Sequence, residues 1–459
     1  MRFSGLMNAK TSQLSAQVNL ALSEWELANL HLPPVTTVTL YSGTAPVSFL
    51  RHRIALILEK NPWLTSRMVK KSTKDGVVAM AYGEAREAGQ QVDEHFRAYE
   101  PGEVRLTLNM QYAALVECLL PLQCARSKPA IDANEPLFKV AVVPLEESTD
   151  SVGSAPMQCK VALPGFALVV SMNHTMGDGH TYYRLYGMLD ADQEVEALDP
   201  VRVSGFEEAK TTIIGETESE MFSSAGYGLG IMGTYLFGRL TGRAPQNVCV
   251  HTIDPAWVAQ EKAKAAEEAQ VPFVSTNDVL TSWFFCEMKC DINIMVGNFR
   301  SRKPAILDLT DHHAGNYEAN IPYFPGDFEE PALIRQSILG PGNQFRAHRA
   351  GSPATEVPGF STLLRNNTAI ITNWASFYRD VALRTDPMRE NSEAFKPSLH
   401  LPIMESNGLI TSVWHNAIVF CPHEGELGML MITRRFDSDA FTQDKTEAGS
   451  QVLMGARLI

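Results

Sequence analysis

The sequence predicts a mixed α/β (α+β) fold in two large parts, on three observations. Runs of strand length, rich in β-branched and apolar residues, recur from residue 36 to residue 433. Between them lie stretches whose apolar residues return at helical spacing. The two kinds of segment do not alternate regularly, so a simple doubly wound parallel sheet is not required. With 459 residues, 45% of them hydrophobic and 20% charged, the chain has ample material for one or two large cores and an ordinary globular composition.

Residues 36–41 (TTVTLY) read as the first strand. In residues 48–59 (SFLRHRIALILE) the apolar positions 49, 50, 54, 57 and 58 form one helical stripe, stopped by Asn61-Pro62. Residues 63–69 read as a short strand and 81–105 as polar surface. Residues 137–145 and 165–172 are strands, the second apolar throughout, as suits the middle of a sheet. After the segment NHTMGDGH, positions 182, 185, 186 and 189 resume a helical spacing. Residues 190–224 are acidic and irregular and, with the glycine-rich 226–240 (GYGLGIMGTYLFGRL), read as a linker between halves. The glycine-rich stretch is shorter than the ~18–20 residues a bilayer span needs. It is expected to be a buried hairpin or interdomain segment, with peripheral membrane contact as the alternative. Residues 248–253 read as a strand, and 257–269 as a helix by its alanines and charges. Ser275-Thr276-Asn277-Asp278 offers caps for a helix through Cys286. Residues 292–296 form a strand, 301–320 a polar loop, 331–339 a helix, 370–374 an extended segment, and 416–420 and 428–433 strands.

The net charge of -13 lacks the basic footprint of nucleic-acid binding. It does not exclude an anionic ligand held by a local basic patch. Seven cysteines at unrelated spacings (118, 124, 159, 249, 286, 290 and 421) argue for reduced, buried thiols and against a disulfide framework. The start MRFSGLMNAK has neither a long apolar core nor a cleavage site, so no secretory signal is expected and the cytoplasm is the default location.

The chemistry-bearing stretch is residues 171–180, SMNHTMGDGH. His174 stands just past a buried strand, with Asp178 four residues on and Gly177 and Gly179 around it. The glycines permit a tight turn with unusual backbone angles. An imidazole so placed can remove a proton from a hydroxyl or amine near neutral pH. It can equally be a turn histidine satisfied by backbone groups. With Asp178 and His180 it could also supply three ligands to a metal.

The segment resembles the His-x-x-x-Asp-Gly motif of the chloramphenicol acetyltransferase-like superfamily, which includes condensation domains and BAHD acyltransferases. Flanking features follow in the same order over roughly residues 36–435. LRHRIALILEKNPWLTSRM (50–68) is similar to the family's first helix and following strand, and Glu135-Pro136-Leu137 to the strand start before the motif. STNDVL (275–280), VGNFR (296–300), Gly315-Asn316 and Thr372-Asn373-Trp374 resemble later segments. The Asp-Phe-Gly-Trp-Gly element of BAHD enzymes is absent after Trp374, which marks a divergent branch. Asn173 stands where condensation domains carry the first of two histidines.

The resemblance implies two similar halves, each a mixed sheet with helices, joined by a crossover segment with a tunnel between them. The expected divisions are 1–195, carrying the motif, a linker 196–247, and 248–459. It implies an acyltransferase moving an acyl group from acyl-CoA, the co-substrate, to an alcohol or amine of a small molecule. His174 is then the general base, and Asp178, paired with Arg300, braces the turn together with Gly179. Thr372 and Trp374 are oxyanion or tunnel candidates, and Ser275 and Thr276 candidates for the CoA arm. No metal, bound cofactor or nucleic acid is implied, and the chain is expected to act as a monomer. Transfer from a carrier-protein thioester, an inactive binding relative and a metal-dependent hydrolase are the alternatives.

Three further patterns were weighed. Gly228-Leu229-Gly230-Ile231-Met232-Gly233 fits Gly-x-Gly-x-x-Gly, but a dinucleotide site needs a strand directly before it, and ETESEMFSSA is not one. Asp311-His312-His313 stands alone in a polar loop. Cys286 and Cys290 lack further ligands and read as core.

Overall fold

The computed structural model describes residues 18–21, 29–70, 78–83, 85–108, 110–147, 161–242, 246–268, 271–301, 307–338, 356–385, 394–406, 408–435 and 454–457. Residues 1–17, Cys159, Ala269, residues 302–306 and Leu339 lie outside them.

Two large sheets organise the molecule. The first has six strands. Its spatial order is Pro397–Pro402, Val35–Ser42, Gly165–Met172, Phe138–Glu146 and Phe96–Ala98, with Leu106–Thr107 also on Phe138–Glu146. The second has seven, ordered Glu318–Tyr323, Ile292–Asn298, Thr368–Asn373, His415–Phe420, Gly428–Thr433, Asn247–Ile253 and Met454–Arg457. A small sheet joins Val18–Ala21, Val78–Tyr82 and Arg67–Lys70.

Side-chain alternation explains why the apolar strand Gly165–Met172 sits in the middle. Phe166, Leu168, Val170 and Met172 face one core, shared with Leu50, Ile54, Ile57 and Leu58 of the helix Val47–Lys60. Ala167 and Val169 face the other way. There they meet Val250, Ile418, Phe420, Leu430 and Ile432 of the second sheet, together with Val38, Leu40, Leu399 and Leu401. This shared cluster joins the two sheets. Each large side chain fully buried in it stabilises the fold by about 1.5–3 kcal/mol. The other face of the second sheet, with Cys249, Met429, Met431, Ala417 and Val419, packs on Leu280, Phe284 and Phe285 of the helix Thr276–Met288.

Among the described residues the chain crosses between the sheets three times, the last time from Pro397–Pro402 to His415–Phe420. Helices Phe206–Ile214, Glu216–Ser223 and Ala225–Leu240 lead from the first sheet to the second. Later, Pro397–Pro402 returns to pair antiparallel with Val35–Ser42 at the edge of the first sheet.

Several expectations differ from this structure. Residues 190–224 are not all irregular: two helices occupy 206–223, since Glu207, Glu208, Glu216 and Glu218 in their first turns suit helix starts. The glycine-rich stretch is not a hairpin, and it is buried only in part, at Gly226, Tyr227 and Gly230, while it does link the two sheets as an interdomain segment. It is one helix, Ala225–Leu240, capped by Ser224, whose hydroxyl accepts from the Tyr227 amide. Gly226 and Gly230 let it lie close against the helix Phe360–Arg365: a Cβ on Gly230 would stand 2.3 Å from the Leu363 carbonyl oxygen. Residues 63–69 are a 3-10 turn, Pro62–Thr65, before a four-residue strand. Residues 81–105 are not all surface, because Val92, His95 and Phe96 are buried. The loop 301–320 ends early, in buried Ala314, Asn316 and Tyr317 and the strand Glu318–Tyr323.

Candidate active site

The motif occupies the step from the strand Gly165–Met172 to the helix Gly179–Gly187. Asn173 pins that step. Its side-chain Nδ2 donates to the Ala125 carbonyl at 2.8 Å, and its Oδ1 accepts from the Ser127 hydroxyl, the Thr175 amide and the Thr175 hydroxyl. His174 follows, part-buried, with its carbonyl oxygen accepting from the Asn316 side chain at 3.0 Å. Asn316 belongs to the second half, so the motif histidine is held from both sides of the seam. The His174 Nδ1 is buried with no hydrogen-bond partner. Burial pushes the His174 pKa below the ordinary 6.5, against the pull of its own carbonyl and of Asp178. Burial therefore favours the neutral ring.

Asp178 caps the motif helix, its Oδ1 accepting from the Thr181 amide at 3.0 Å. Its Oδ2 accepts from Arg300 Nη1 at 2.7 Å and from the Tyr317 amide at 2.9 Å. Burial opposes ionisation of Asp178, but the charge and hydrogen bonds of Arg300 prevail and hold its pKa below the usual carboxylate range. Arg300 uses every N–H it has. Nε donates to His313 O, Nη1 to Asp178 and Asn298, and Nη2 to the Thr181 hydroxyl and Gly315 O. Its guanidinium carbon lies 4.9 Å from the Tyr317 ring centre. Both partners of the ion pair are sealed, with side chains 0% and 2% exposed.

The two motif glycines act through space and not through unusual backbone angles, since neither has a positive φ. A Cβ on Gly177 would meet the Thr181 side chain at 2.7 Å. A Cβ on Gly179 would stand 3.1 Å from the Trp374 indole nitrogen. Gly179 therefore admits Trp374, which also meets Tyr183 edge to face. Trp374 follows the strand Thr368–Asn373, where Thr372 is part-buried. Next to it, Asn373 donates to Asn277 at 2.9 Å, tying this strand end to the start of the helix Thr276–Met288. Ser275 caps that helix in a reciprocal pair with Asp278, so its hydroxyl is engaged within the fold. Thr276 instead lines a cavity of about 900 Å³ with Thr252, Lys262, Ser398, His423 and Leu427.

A second cavity, about 610 Å³, is lined by His180, Tyr183, Asn298, Phe377, Arg379 and Asp380 among others. Burial, aided by the charge of Arg300, pushes His180 down to about 4. Its Nε2 lies 3.7 Å from Asp311. Asp178 is thus committed to Arg300, and among the described residues no three His, Cys, Asp or Glu side chains converge as a metal site. The Gly-x-Gly-x-x-Gly pattern lies inside a helix with no strand directly before it. His313 accepts from the Thr310 amide, and His312 lies 3.7 Å from Glu196, so residues 311–313 are loop structure.

Sequence reasoning thus named His174, Asp178, Gly179, Arg300 and Trp374, which the structure brings together. It passed over three residues that hold them. At Asn173 the sequence shows only the absence of the condensation-domain histidine, not the turn contacts to Ser127 and Thr175. Asn316 carried a signal, the Gly315-Asn316 pair. Thr181, whose hydroxyl bridges Arg300 and Gly315, carried none.

No family model matches the chain, and no curated protein matches it in sequence. Solved structures do. TRI101 of F. graminearum complexed with ethyl coenzyme A superposes with a TM-score of 0.55 at 12% identity, over 94% of this chain and 98% of that one. F. sporotrichioides TRI101 complexed with coenzyme A and T-2 gives 0.53 at 10% identity, over 93% and 98%. The F. graminearum protein with coenzyme A and deoxynivalenol gives 0.53 at 11%, over 93% and 98%. Identity this low speaks to architecture alone. Two mixed sheets, the crossover between them and these superpositions over nearly the whole length give the chain a chloramphenicol acetyltransferase-like fold.

Proposed function

We propose that this chain is an acyltransferase that moves an acyl group from acyl-CoA to a hydroxyl or amine of a small molecule, with His174 as general base. The observation that carries the reading is one imidazole at a strand end on the seam between the halves, its carbonyl held by Asn316 and its turn followed by the buried Asp178–Arg300 pair. The TRI101 structures, with coenzyme A and T-2 or deoxynivalenol bound, support it by showing that this fold accommodates such ligands.

In this mechanism the cavity lined by Thr276 and Lys262 is the candidate donor site and the one lined by His180 and Phe377 the candidate acceptor site, although His174 lines neither of them. With Nδ1 buried, Nε2 is the nitrogen assigned to the proton. It removes the acceptor's proton as the oxygen or nitrogen attacks the thioester carbonyl. The tetrahedral oxyanion collapses, the C–S bond breaks, and the CoA thiolate takes the proton back from His174. Thr372 is the candidate oxyanion donor, and Trp374 shapes the passage. No covalent acyl-enzyme is required. Burial pushes the Cys124 and Cys290 thiols up to about 12, and Cys286 and Cys421 to about 11, which leaves all four as poor nucleophiles.

The test is incubation with a panel of acyl-CoAs and pooled alcohols and amines, following free thiol, with His174→Ala alongside. Turnover should fall by at least ~100-fold in the variant, the lower end for lost base catalysis, while its melting curve stays close to wild type. The acid limb of kcat/KM in the wild type should lie below pH 6.5, because burial favours the neutral ring. Equal turnover in the variant removes His174 from the chemistry.

A further inference from the structure

Twelve large hydrophobic side chains are prominently exposed among the described residues, and seven of them stand together. Leu229, Met232, Leu236, Phe237 and Leu240 lie on the helix Ala225–Leu240, and Phe360 and Leu364 on the helix packed against it. Positions 229, 232, 236 and 240 follow helical spacing, so they form one ridge. Exposure is greatest at its carboxyl end, 64% at Phe237 and 86% at Leu240. Nearer the amino end of the same helix, Gly226 lies against Phe360 and Leu363, and Gly230 against Leu363. The glycines thus serve the inner contact and leave the large apolar residues outward. Contiguous exposed apolar surface of this kind marks an interaction site.

Charge identifies the partner. The chain holds 52 acidic residues among 459, yet none falls between 221 and 253 or between 357 and 379. Those two segments carry the whole ridge. The two ridge helices carry Arg239 and Arg365, whereas Arg379 lines the cavity beside His180. Arg239 is exposed, and its guanidinium donates to the Tyr235 hydroxyl at 3.0 Å. Arg365 lies 3.7 Å from the Asp291 carboxylate. The acidic helix Glu216–Ser223 precedes the ridge at its amino end, away from the most exposed residues. An apolar ridge whose two helices carry arginine and tyrosine but no Asp or Glu of their own complements an anionic lipid surface. A second copy suits it less, since a stable dimer engages ~20–30 residues a side and two short helices supply far fewer. Among the described residues no helix is long and apolar enough to cross a membrane. At 16 residues the ridge helix is about 24 Å long, suited to lying in the plane of the headgroups.

We propose that this ridge seats the protein on an anionic bilayer surface, with Phe237 and Leu240 among the acyl chains and Arg239 at the level of the phosphates. The inference does not depend on the acyl-transfer reading. The test is co-sedimentation of the full chain with vesicles of phosphatidylcholine, alone or mixed with phosphatidylserine. Wild type should bind the mixed vesicles, and less at high salt. The double substitution Phe237→Ser with Leu240→Ser should weaken partitioning by at least ~10-fold, as expected for withdrawing two large apolar groups from hydrocarbon. Arg239→Glu should weaken binding to the mixed vesicles only. Leu120→Ser, at an exposed leucine elsewhere, should change nothing. Wild type that stays in solution with both vesicle types overturns the proposal. So does a concentration-dependent dimer in analytical ultracentrifugation that the double variant abolishes, which would assign the ridge to a second copy. Wild-type partitioning decides the matter even where a variant folds poorly.

Discussion

At the scale of single residues, the Asp178–Arg300 pair proposed to brace His174 is an ion pair with no access to water. A buried pair is weak support for stability as a whole, but removing one partner leaves an uncompensated charge. Arg300→Ala strands Asp178 at 2% exposure and should cost about 3–5 kcal/mol, read from the denaturation midpoint, with a loss of turnover. Arg300→Lys should rescue little. A lysine has three donors on one nitrogen, whereas Arg300 spreads five across Asp178, Asn298, Thr181, His313 and Gly315. An alanine variant that melts like wild type would deny the pair its bracing part. The pairing was legible because Asp178 and Arg300 sit in segments with a recognisable pattern. The roles of Asn173 and Ser275 were not. Both use small polar side chains to satisfy local backbone amides, a task that asparagine and serine perform in many unrelated turns.

At the scale of elements, the strands and the helix Val47–Lys60 were readable because burial imposes periods of two and 3.6 on the sequence. The helix Ala225–Leu240 was not. Its five glycines weigh against helix by about 1 kcal/mol each relative to alanine, and no clean polar face appears. What overrides propensity is close approach to the helix Phe360–Arg365, a contact between residues more than 120 positions apart. The two kinds of glycine in it should therefore respond oppositely to alanine. Gly228 faces open space, so Gly228→Ala should raise stability by up to ~1 kcal/mol. Gly230→Ala forces a methyl against the Leu363 carbonyl and should lower it by about 1–3 kcal/mol. Matching denaturation midpoints for the two variants would mean the helices do not pack this closely in solution.

At the scale of the molecule, buried neutral histidines set the acid limit. Burial pushes His95 and His180 down to about 4 and His400 to about 3. His400 is wholly enclosed, held between the Thr39 and Tyr183 hydroxyls. Each of the three has a folded pKa below its unfolded value near 6.5, so below that pH the unfolded chain binds protons that the folded one refuses. Their contribution is fully present above pH 6.5 and is lost as pH falls toward 4. Between pH 7 and 5 each should account for about 2 kcal/mol. Melting temperature should fall over that range, and His400→Gln should flatten the decline. A melting temperature constant from pH 7 to 5 would show that these rings are not held neutral. The exchanged strand Pro397–Pro402 acts on a different variable, the order of synthesis. Its partner Val35–Ser42 leaves the ribosome early, and the last central strand of the first sheet ends at Met172. At ~5–20 residues per second, the edge of that sheet waits on the order of 10–50 s for its closing neighbour. Through that interval the nascent chain carries an open row of amides and carbonyls, so crowded translation, more than heat, is the condition under which this protein is most exposed to mispairing.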